Sequence, residues 1–431
     1  MGQWDTKWDP NGLDGVRVTR LDNGLTVATD FMPGLETAAI GVWVGVGTRH
    51  EPAAINGVAH LLEHMAFKGT QRRSARDISV EIESVGGHLN AYTSRENTAY
   101  YARVLAGDVP LAVEIIADIL QHSVFDEEEL ARERAVVLQE IGQAEDTPDD
   151  IIFDHFQATA YPGQALGRPV LGTADIVGNL AREAIRGYMR EHYTGERLIL
   201  CAAGKVDHGQ LVELAAKAFV DLPRANLGPT EAARYVGGDF RQARDLEQVH
   251  LVLGFPGVGY ADRDYYAATV YSTLLGGGMS SRLFQEIREK HGLVYSIHSF
   301  ASSYVDGGLF GIYAGTGAAE VAELVPLVCD EVVKAADTVD AEEVRRARAQ
   351  LKAGILMARE GPSARSEQLA QQLLVYGRPL PLDEIMARVD AVDVEEVSAV
   401  ARRLRAGPLT VTALGPVDRL EPYDRIKARL S

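Results

Sequence analysis

The sequence has few cysteines and no long uninterrupted apolar segment. Its 431 residues include only two cysteines, Cys201 and Cys329, which cannot form a disulfide framework. The longest stretch without Asp, Glu, Lys or Arg runs from Tyr265 to Ser281 and contains three consecutive glycines. A membrane-spanning helix needs about 20 mostly apolar residues. We therefore expect a protein of a reducing compartment, with no transmembrane helix and no membrane partner.

Basic residues are outnumbered, with 43 Lys and Arg against 61 Asp and Glu, which gives a formal net charge of −18. This charge argues against nonspecific binding to nucleic acid, because the phosphate backbone would be repelled. The start, Met1 to Thr6, has no basic region that leads into an apolar stretch, so we predict no secretory or organellar signal and a cytoplasmic location. With 46% hydrophobic and 24% charged residues, the composition is typical of a folded globular protein.

The chain contains an internal repeat. Three pairs of similar segments occur in the same order, and the members of each pair lie about half the chain apart. The first pair is ILCAAGKVD, which ends at Asp207, and VTALGPVD, which ends at Asp418. The second is FDEEEL from Phe125 and VDAEEV from Val339, and the third is formed by the segments around Gly87 and Gly292. We predict two copies of one module, residues 1–219 and 241–431. The segment between them, residues 220–240, is rich in glycine and proline and is interpreted as a linker.

Each copy mixes the sequence periods of strands and helices. The patterns predict helices over Val58–Phe67, Ala75–Ser84, Val109–Gln121 and Glu127–Gln143. They predict either a hairpin with its turn at Ser94–Asn97 or one long strand over Leu89–Val104. Strands and helices are grouped rather than alternating. The predicted fold class is therefore α+β, with a mostly antiparallel sheet in each module and helices packed on one face.

The residues with the clearest chemistry lie in one predicted helix, where His60-Leu61-Leu62-Glu63-His64 forms the pattern H-x-x-E-H. Positions four apart on a helix differ by about 40°, so the imidazoles of His60 and His64 can reach one metal ion. Glu63 lies on the flank of that face, where a carboxylate can act on a metal-bound water. Such an arrangement is typical of zinc hydrolases.

A catalytic zinc site needs a third protein ligand. The predicted helix over 127–143 offers Glu133 and Glu140, which share a face but lie about 10 Å apart along the axis. Either could ligate the ion, and both could instead belong to a solvated acidic face. The spacing alone does not choose between them.

Three segments, Gly57–Thr70, Gly86–Ala102 and Glu133–Glu140, resemble the pitrilysin (insulinase) family of zinc peptidases. The likeness extends over nearly the full length and is greatest to the β subunit of mitochondrial processing peptidase and its bacterial homologues. The resemblance implies a zinc metalloendopeptidase of a bacterial cell, with one Zn²⁺ per chain held by His60, His64 and Glu140. It also implies that Glu63 is the general base.

The resemblance assigns roles to further residues. Glu133 matches a carboxylate that orients the metal ligands. Arg288 and Tyr295 match residues that reach toward the substrate, where they can hold its backbone and stabilise the oxyanion. The family's edge strand, to which an extended peptide adds as a further strand, matches Gly87, His88, Leu89, Asn90 and Ala91.

The second module lacks the metal ligands, because Ala347 and Gly354 stand where the repeat places Glu133 and Glu140, and the region around Tyr265 to Thr269 contains no histidine or glutamate. By resemblance it forms the opposite wall of a closed chamber that admits peptides or unfolded segments, and two copies of the chain form a homodimer. Two alternatives remain: a noncatalytic scaffold like the core subunits of the respiratory bc1 complex, and a catalytic subunit that needs a different partner subunit to process leader peptides.

Overall fold

The computed structural model describes residues 15–224, 228 and 230–431. These divide into two compact units. Of the described residues, unit 1 contains 15–142, those of 169–231 and 357–381, and unit 2 contains 143–168, 232–356 and 382–431. The predictions about the start of the chain, Met1 to Thr6, and about positions 225–227 and 229 of the linker lie outside the described residues.

The elements of the described chain are numbered here in chain order. The strands are β1 Val16–Arg20, β2 Thr26–Phe31, β3 Thr37–Val44, β4 His88–Thr93, β5 Thr98–Leu105, β6 Leu198–Gly204, β7 Gly238–Ala243, β8 Gln248–Pro256, β9 Val294–Ser303, β10 Gly308–Gly317 and β11 Thr410–Gly415. The α-helices are α1 Val58–Ala66, α2 Ala75–Ser84, α3 Val109–Gln121, α4 Glu127–Glu145, α5 Pro148–Ala160, α6 Ala174–Asn179, α7 Arg182–His192, α8 His208–Ala218, α9 Tyr265–Gly276, α10 Val321–Thr338, α11 Ala341–Ala358, α12 Pro362–Tyr376, α13 Leu382–Ala391, α14 Val394–Arg405 and α15 Tyr423–Arg429. A π-helical segment spans Phe284–Lys290.

The sheet of unit 1 has the strand order β1-β2-β6-β3-β5-β4. All neighbouring strands are antiparallel except β2 and β6, which run parallel. The predicted hairpin is confirmed as β4 and β5, paired from His88 opposite Arg103 to Thr93 opposite Thr98. Strand β4 lies at the end of the sheet, so its outer edge is not paired with any strand of the described chain.

The sheet of unit 2 repeats this arrangement with one strand fewer, in the order β7-β11-β8-β10-β9. Its single parallel pair is β7 and β11, which corresponds to β2 and β6 of unit 1. The remaining pairs are antiparallel. This shared topology confirms the predicted fold class, a mostly antiparallel α+β sheet in each of two homologous modules.

Both faces of the unit 1 sheet are covered by helices, beyond the single covered face that the sequence predicted. Alternate residues of β3, such as Ile40 and Val42, join the large core formed with the helices of the first half. Trp43 points the other way and packs in a smaller cluster with Leu369 and Leu373 of α12. The period of two along a strand places successive side chains on opposite faces.

In unit 2 the second face of the sheet is also covered by a helix, which is α5 in place of α12. Phe156 of α5 packs with Val252 and Leu414 on the face of the sheet opposite the main core. In both units the extra helix comes from a segment that the repeat assigned to the other half of the chain. The sequence repeat did not reveal this exchange, because a helix carries no mark of the sheet it will cover.

The first four helices follow their predicted bounds closely. Ser74 starts α2 by accepting a hydrogen bond from the backbone N–H of Asp77, whose carboxylate bonds back to Ser74. Asp126 accepts from the N–H groups of Glu128 and Glu129 and so begins α4, which extends two residues beyond the predicted end. Nowhere in the described chain does a helix combine the length and apolar character that a bilayer crossing requires.

Candidate metal centre

Helix α1 carries the H-x-x-E-H motif, and its first turn is bound by a buried carboxylate. Glu51 accepts hydrogen bonds from the N–H groups of Gly57 and Ala59, at 2.9 and 2.8 Å, and from the side chain of Asn56 at 2.8 Å. The first N–H groups of a helix lack partners within it, and a negative charge there also opposes the helix dipole. Gly57 precedes α1 with a φ of +94°, which favours glycine. Glu51 therefore fixes where the motif helix begins.

We expect Glu51→Gln to lower the free energy of unfolding by about 1–3 kcal/mol, because the NH₂ of the new amide would face N–H groups that now donate to the carboxylate. Urea unfolding followed by circular dichroism measures this change. Glu36→Gln is the matched control, since the Glu36 carboxylate is exposed and pairs with Lys205 at the surface; it should change stability by less than about 0.5 kcal/mol. Equal unfolding midpoints for the two variants would contradict the role of Glu51.

Helix α4 brings both candidate carboxylates against α1, at different atoms. Glu140 Oε2 lies 3.7 Å from His60 Nε2 and 3.6 Å from His64 Nε2. Glu133 Oε2 lies 3.0 Å from the other nitrogen of His64, Nδ1. The two carboxylates thus occupy opposite sides of one imidazole ring. This explains how residues about 10 Å apart along a helix can both serve one site.

His60, His64 and Glu140 can hold a metal ion. Their ligand atoms lie within 4.8 Å of one another, and they are the one such group of three found in residues 15–224, 228 and 230–431. Tetrahedral zinc with bonds of 2.0–2.1 Å places its ligand atoms about 3.4 Å apart, close to the observed spacing. Glu140 Oε2 is buried without a hydrogen-bond partner. A buried acceptor without a donor is costly, and a cation at this point satisfies it.

The electrostatics around His60 favour the neutral form that binds metal. Burial, and next the positive charge of a protonated His64, lower the pKa of His60 to about 4. Neutral imidazole is the form that coordinates zinc. Because a carboxylate only accepts hydrogen bonds, His64 Nδ1 donates to Glu133 and leaves the lone pair of Nε2 directed toward Glu140.

Glu133 is held in turn by a cation. Its side chain is only 7% exposed, and its second oxygen, Oε1, lies 2.7 Å from Lys68 Nζ. Lys68 follows α1 by two residues. A carboxylate that receives the ring N–H of a ligating histidine fixes the tautomer and the orientation of that ring. Glu133 therefore belongs to the support of the site and not to the group of atoms around Glu140 Oε2.

Glu63 lies beside this group and contacts the end of the edge strand. The hydroxyl of Thr93 donates to Glu63 Oε2 at 2.6 Å. Burial raises the pKa of the Glu63 carboxyl, and the hydrogen bond from Thr93 acts in the opposite direction. A carboxylate in such surroundings takes up a proton more readily than one in water, as a general base requires.

The predicted substrate strand is β4, preceded by the buried Gly87. Two of its residues, His88 and Asn90, are exposed. Leu89 and Ala91 point toward the main core of unit 1. The strand ends at Thr93, whose hydroxyl contacts Glu63. Its unpaired edge therefore runs toward the candidate metal centre of the same unit.

Arg288 and Tyr295 lie in unit 2 and contact each other. The guanidinium of Arg288 lies 4.6 Å from the ring centroid of Phe284 and 5.7 Å from that of Tyr295. Tyr295 is 79% exposed on edge strand β9. Their stacking holds an exposed phenol beside a guanidinium, and their role toward a substrate stays a prediction.

Sequence reasoning missed three residues of this region: Glu51, Lys68 and Thr93. Glu51 lies seven residues before α1, beyond the usual position of a helix cap. Lys68 and Thr93 stood inside the segments that carry the family resemblance. The signal available for them was a charged or hydroxyl side chain at the end of an element that carries site residues.

Family models match both halves of the chain. Residues 26–174 match the model described as Insulinase (Peptidase family M16), and residues 179–351 match the Peptidase M16 inactive domain. An uncharacterized zinc protease of Streptomyces coelicolor is 40% identical over 94% of this chain and 91% of its own. The chain belongs to the insulinase family, peptidase family M16. This membership supports peptidase activity and the use of zinc.

Some relatives of this M16 chain are named as subunits. The β subunit of mitochondrial-processing peptidase from Rattus norvegicus is 40% identical over 95% of this chain and 86% of its own.

Two solved structures share the fold. A protease from Helicobacter pylori has a TM-score of 0.86 at 23% identity, covering 94% of this chain and all of that one. A chain of complex III2 from Candida albicans has a TM-score of 0.83 at 22% identity, covering 96% and 100%.

Proposed function

We propose that this protein is a zinc metalloendopeptidase that hydrolyses peptides or unfolded segments, with one Zn²⁺ per chain held by His60, His64 and Glu140. The observation that carries the proposal is the convergence of two Nε2 atoms on the partnerless Glu140 Oε2. When bound, zinc lowers the pKa of its water to about 7 and polarises a carbonyl. The family placement supports the same reaction.

The protein side chains divide the remaining work. Glu63 takes the proton of the attacking water and returns it to the leaving amine, so that both transfers use one carboxylate. Glu133 keeps the proton of His64 on Nδ1, and Lys68 keeps Glu133 in place. His60 stays neutral at physiological pH, because its pKa lies near 4.

We propose that the substrate adds as a further strand to the free edge of β4, along Gly87, His88, Leu89, Asn90 and Ala91. Backbone pairing of this kind selects an extended chain with little dependence on its sequence. Arg288 and Tyr295 are assigned to the substrate backbone and the oxyanion. These two assignments rest on the family resemblance and on the exposure of Tyr295.

The quaternary proposal is a cytoplasmic homodimer in which two chains enclose one peptide chamber. It rests on the family likeness and on the second module, which carries no counterpart of Glu133 or Glu140. Light scattering of the purified protein tests it. A solution mass equal to one chain of 46.7 kDa would reject the dimer.

The function is tested by purifying the chain alone, loading it with one equivalent of zinc and adding an internally quenched peptide. We expect cleavage that stops when a chelator removes the metal and returns when zinc is restored. Mass spectrometry of the products from a mixed peptide library then identifies the cleaved bonds. No cleavage of any peptide by the zinc-loaded chain would reject a self-sufficient enzyme.

The second candidate is the catalytic subunit of a heteromeric processing peptidase, favoured by relatives that are named as β subunits. The same assay separates the two, because such a subunit would cleave only after a different chain is added. A noncatalytic scaffold is less well supported, since His60, Glu63, His64 and Glu140 are all present and close together.

A further inference from the structure

The end of the peptide-pairing strand is joined directly to the proposed general base. Thr93 is the last residue of β4, and its hydroxyl donates to Glu63 Oε2 at 2.6 Å. In the described chain this is the only hydrogen bond made by the Glu63 carboxylate. We propose that Thr93 is a positioning residue that fixes the Glu63 carboxylate relative to the strand on which the substrate lies. This inference rests on the proposed peptidase function.

Thr93 presents its hydroxyl to Glu63 because of the strand period. Leu89 and Ala91 pack toward the core that contains α1, and two residues further on Thr93 points to the same face. Tyr92 points to the opposite face, where its hydroxyl contacts Trp43 and Glu367. A shift of one residue in the register of β4 would therefore replace the Thr93 hydroxyl beside Glu63 by a residue of the other face.

The position of Thr93 is itself fixed by the loop that precedes α1. Thr93 pairs with Thr98, whose hydroxyl donates to the carbonyl of Val46 at 3.0 Å. The hairpin turn accepts a backbone hydrogen bond at Ser94 from the N–H of Thr48. A Cβ at Gly47 would lie 2.2 Å from the Ser94 carbonyl oxygen, so the loop and the turn are in close contact.

The same loop leads to Glu51, which binds the first turn of α1. The metal helix and the end of β4 are thus connected through one short segment, in addition to the direct bond between Thr93 and Glu63. With Oε2 held by Thr93, the second oxygen of Glu63 is left for the proton of the water. A peptide that pairs with β4 is then placed at a set distance from that oxygen. The rate of the catalysed reaction depends on this alignment, and a misplacement of about 1 Å can lower it by about 100-fold.

The test compares Thr93→Val with Thr93→Ser in the zinc-loaded full chain. Valine keeps the shape and the strand preference but removes the donor, whereas serine keeps the donor. We expect Thr93→Val to lower kcat by about 10- to 100-fold, with KM and zinc content close to wild type, and Thr93→Ser to recover most of the rate. Thr29→Val is the matched control, a hydroxyl removed from strand β2 where it bonds His208; it should leave kcat unchanged.

A second readout does not depend on turnover. Crystal structures of the zinc-loaded variants should show one position of the Glu63 carboxylate in wild type and Thr93→Ser, and a displaced or divided position in Thr93→Val. If wild type cleaves no peptide, the proposed function fails, and the carboxylate positions still decide the role of Thr93. An unmoved Glu63 in Thr93→Val, an equal rate loss in the serine variant, or a loss that follows zinc content would overturn the inference.

Discussion

Glu63→Gln is expected to lower kcat by about 100- to 10,000-fold, the range that a positioned general base contributes, while the protein keeps its zinc. The amide has nearly the same shape and can still accept the hydrogen bond from Thr93, so the local structure should persist. It cannot take a proton from water near neutral pH. Steady-state kinetics on a quenched peptide, with zinc measured by elemental analysis, checks both parts of the expectation.

The control for Glu63→Gln is Glu36→Gln, the same chemical change at an exposed surface residue paired with Lys205. It should retain full activity. Turnover in Glu63→Gln within tenfold of wild type would remove the assignment of the base. Loss of zinc in this variant would instead show that Glu63 acts as a ligand.

Glu140→Gln is expected to weaken zinc binding by more than 100-fold, whereas Glu133→Gln should weaken it by about 10- to 100-fold, the range for residues that orient a ligand. Glu140 Oε2 approaches both Nε2 atoms, so its replacement removes a charged donor from the metal itself. Of the two His64 nitrogens Glu133 contacts Nδ1, on the side of the ring away from Glu140 Oε2, and an amide there can still accept that N–H.

The two variants control for each other, because both make the same substitution on one helix seven residues apart. Competition with a chromophoric chelator gives the affinity of each for zinc, and circular dichroism verifies that both fold. The reverse order of affinities would exchange the two assignments. Equal affinities would contradict the division of roles between the two carboxylates.

The sequence by itself determined the features that depend on spacing within one element. The spacing of four positions from His60 to His64 places both imidazoles on one face of any helix. The alternation along Leu89–Val104 predicted the hairpin, and the repeated glycine and acidic segments predicted the two related modules. The first two inferences needed only the periods of a helix and a strand, and the third needed only a comparison of the chain with itself, so no knowledge of the tertiary fold was required.

Other features depend on how elements pack, and only the tertiary structure decided them. From the residue spacing alone Glu133 and Glu140 were equivalent. In the folded chain one lies at Nδ1 of His64 and the other at Nε2. Glu51 contacts α1 from the loop before the helix, and Thr93 contacts it from a strand 30 residues further along the chain. The exchange of α5 and α12 between the units also follows from packing, since an amphipathic helix specifies an apolar face but not the partner that will cover it.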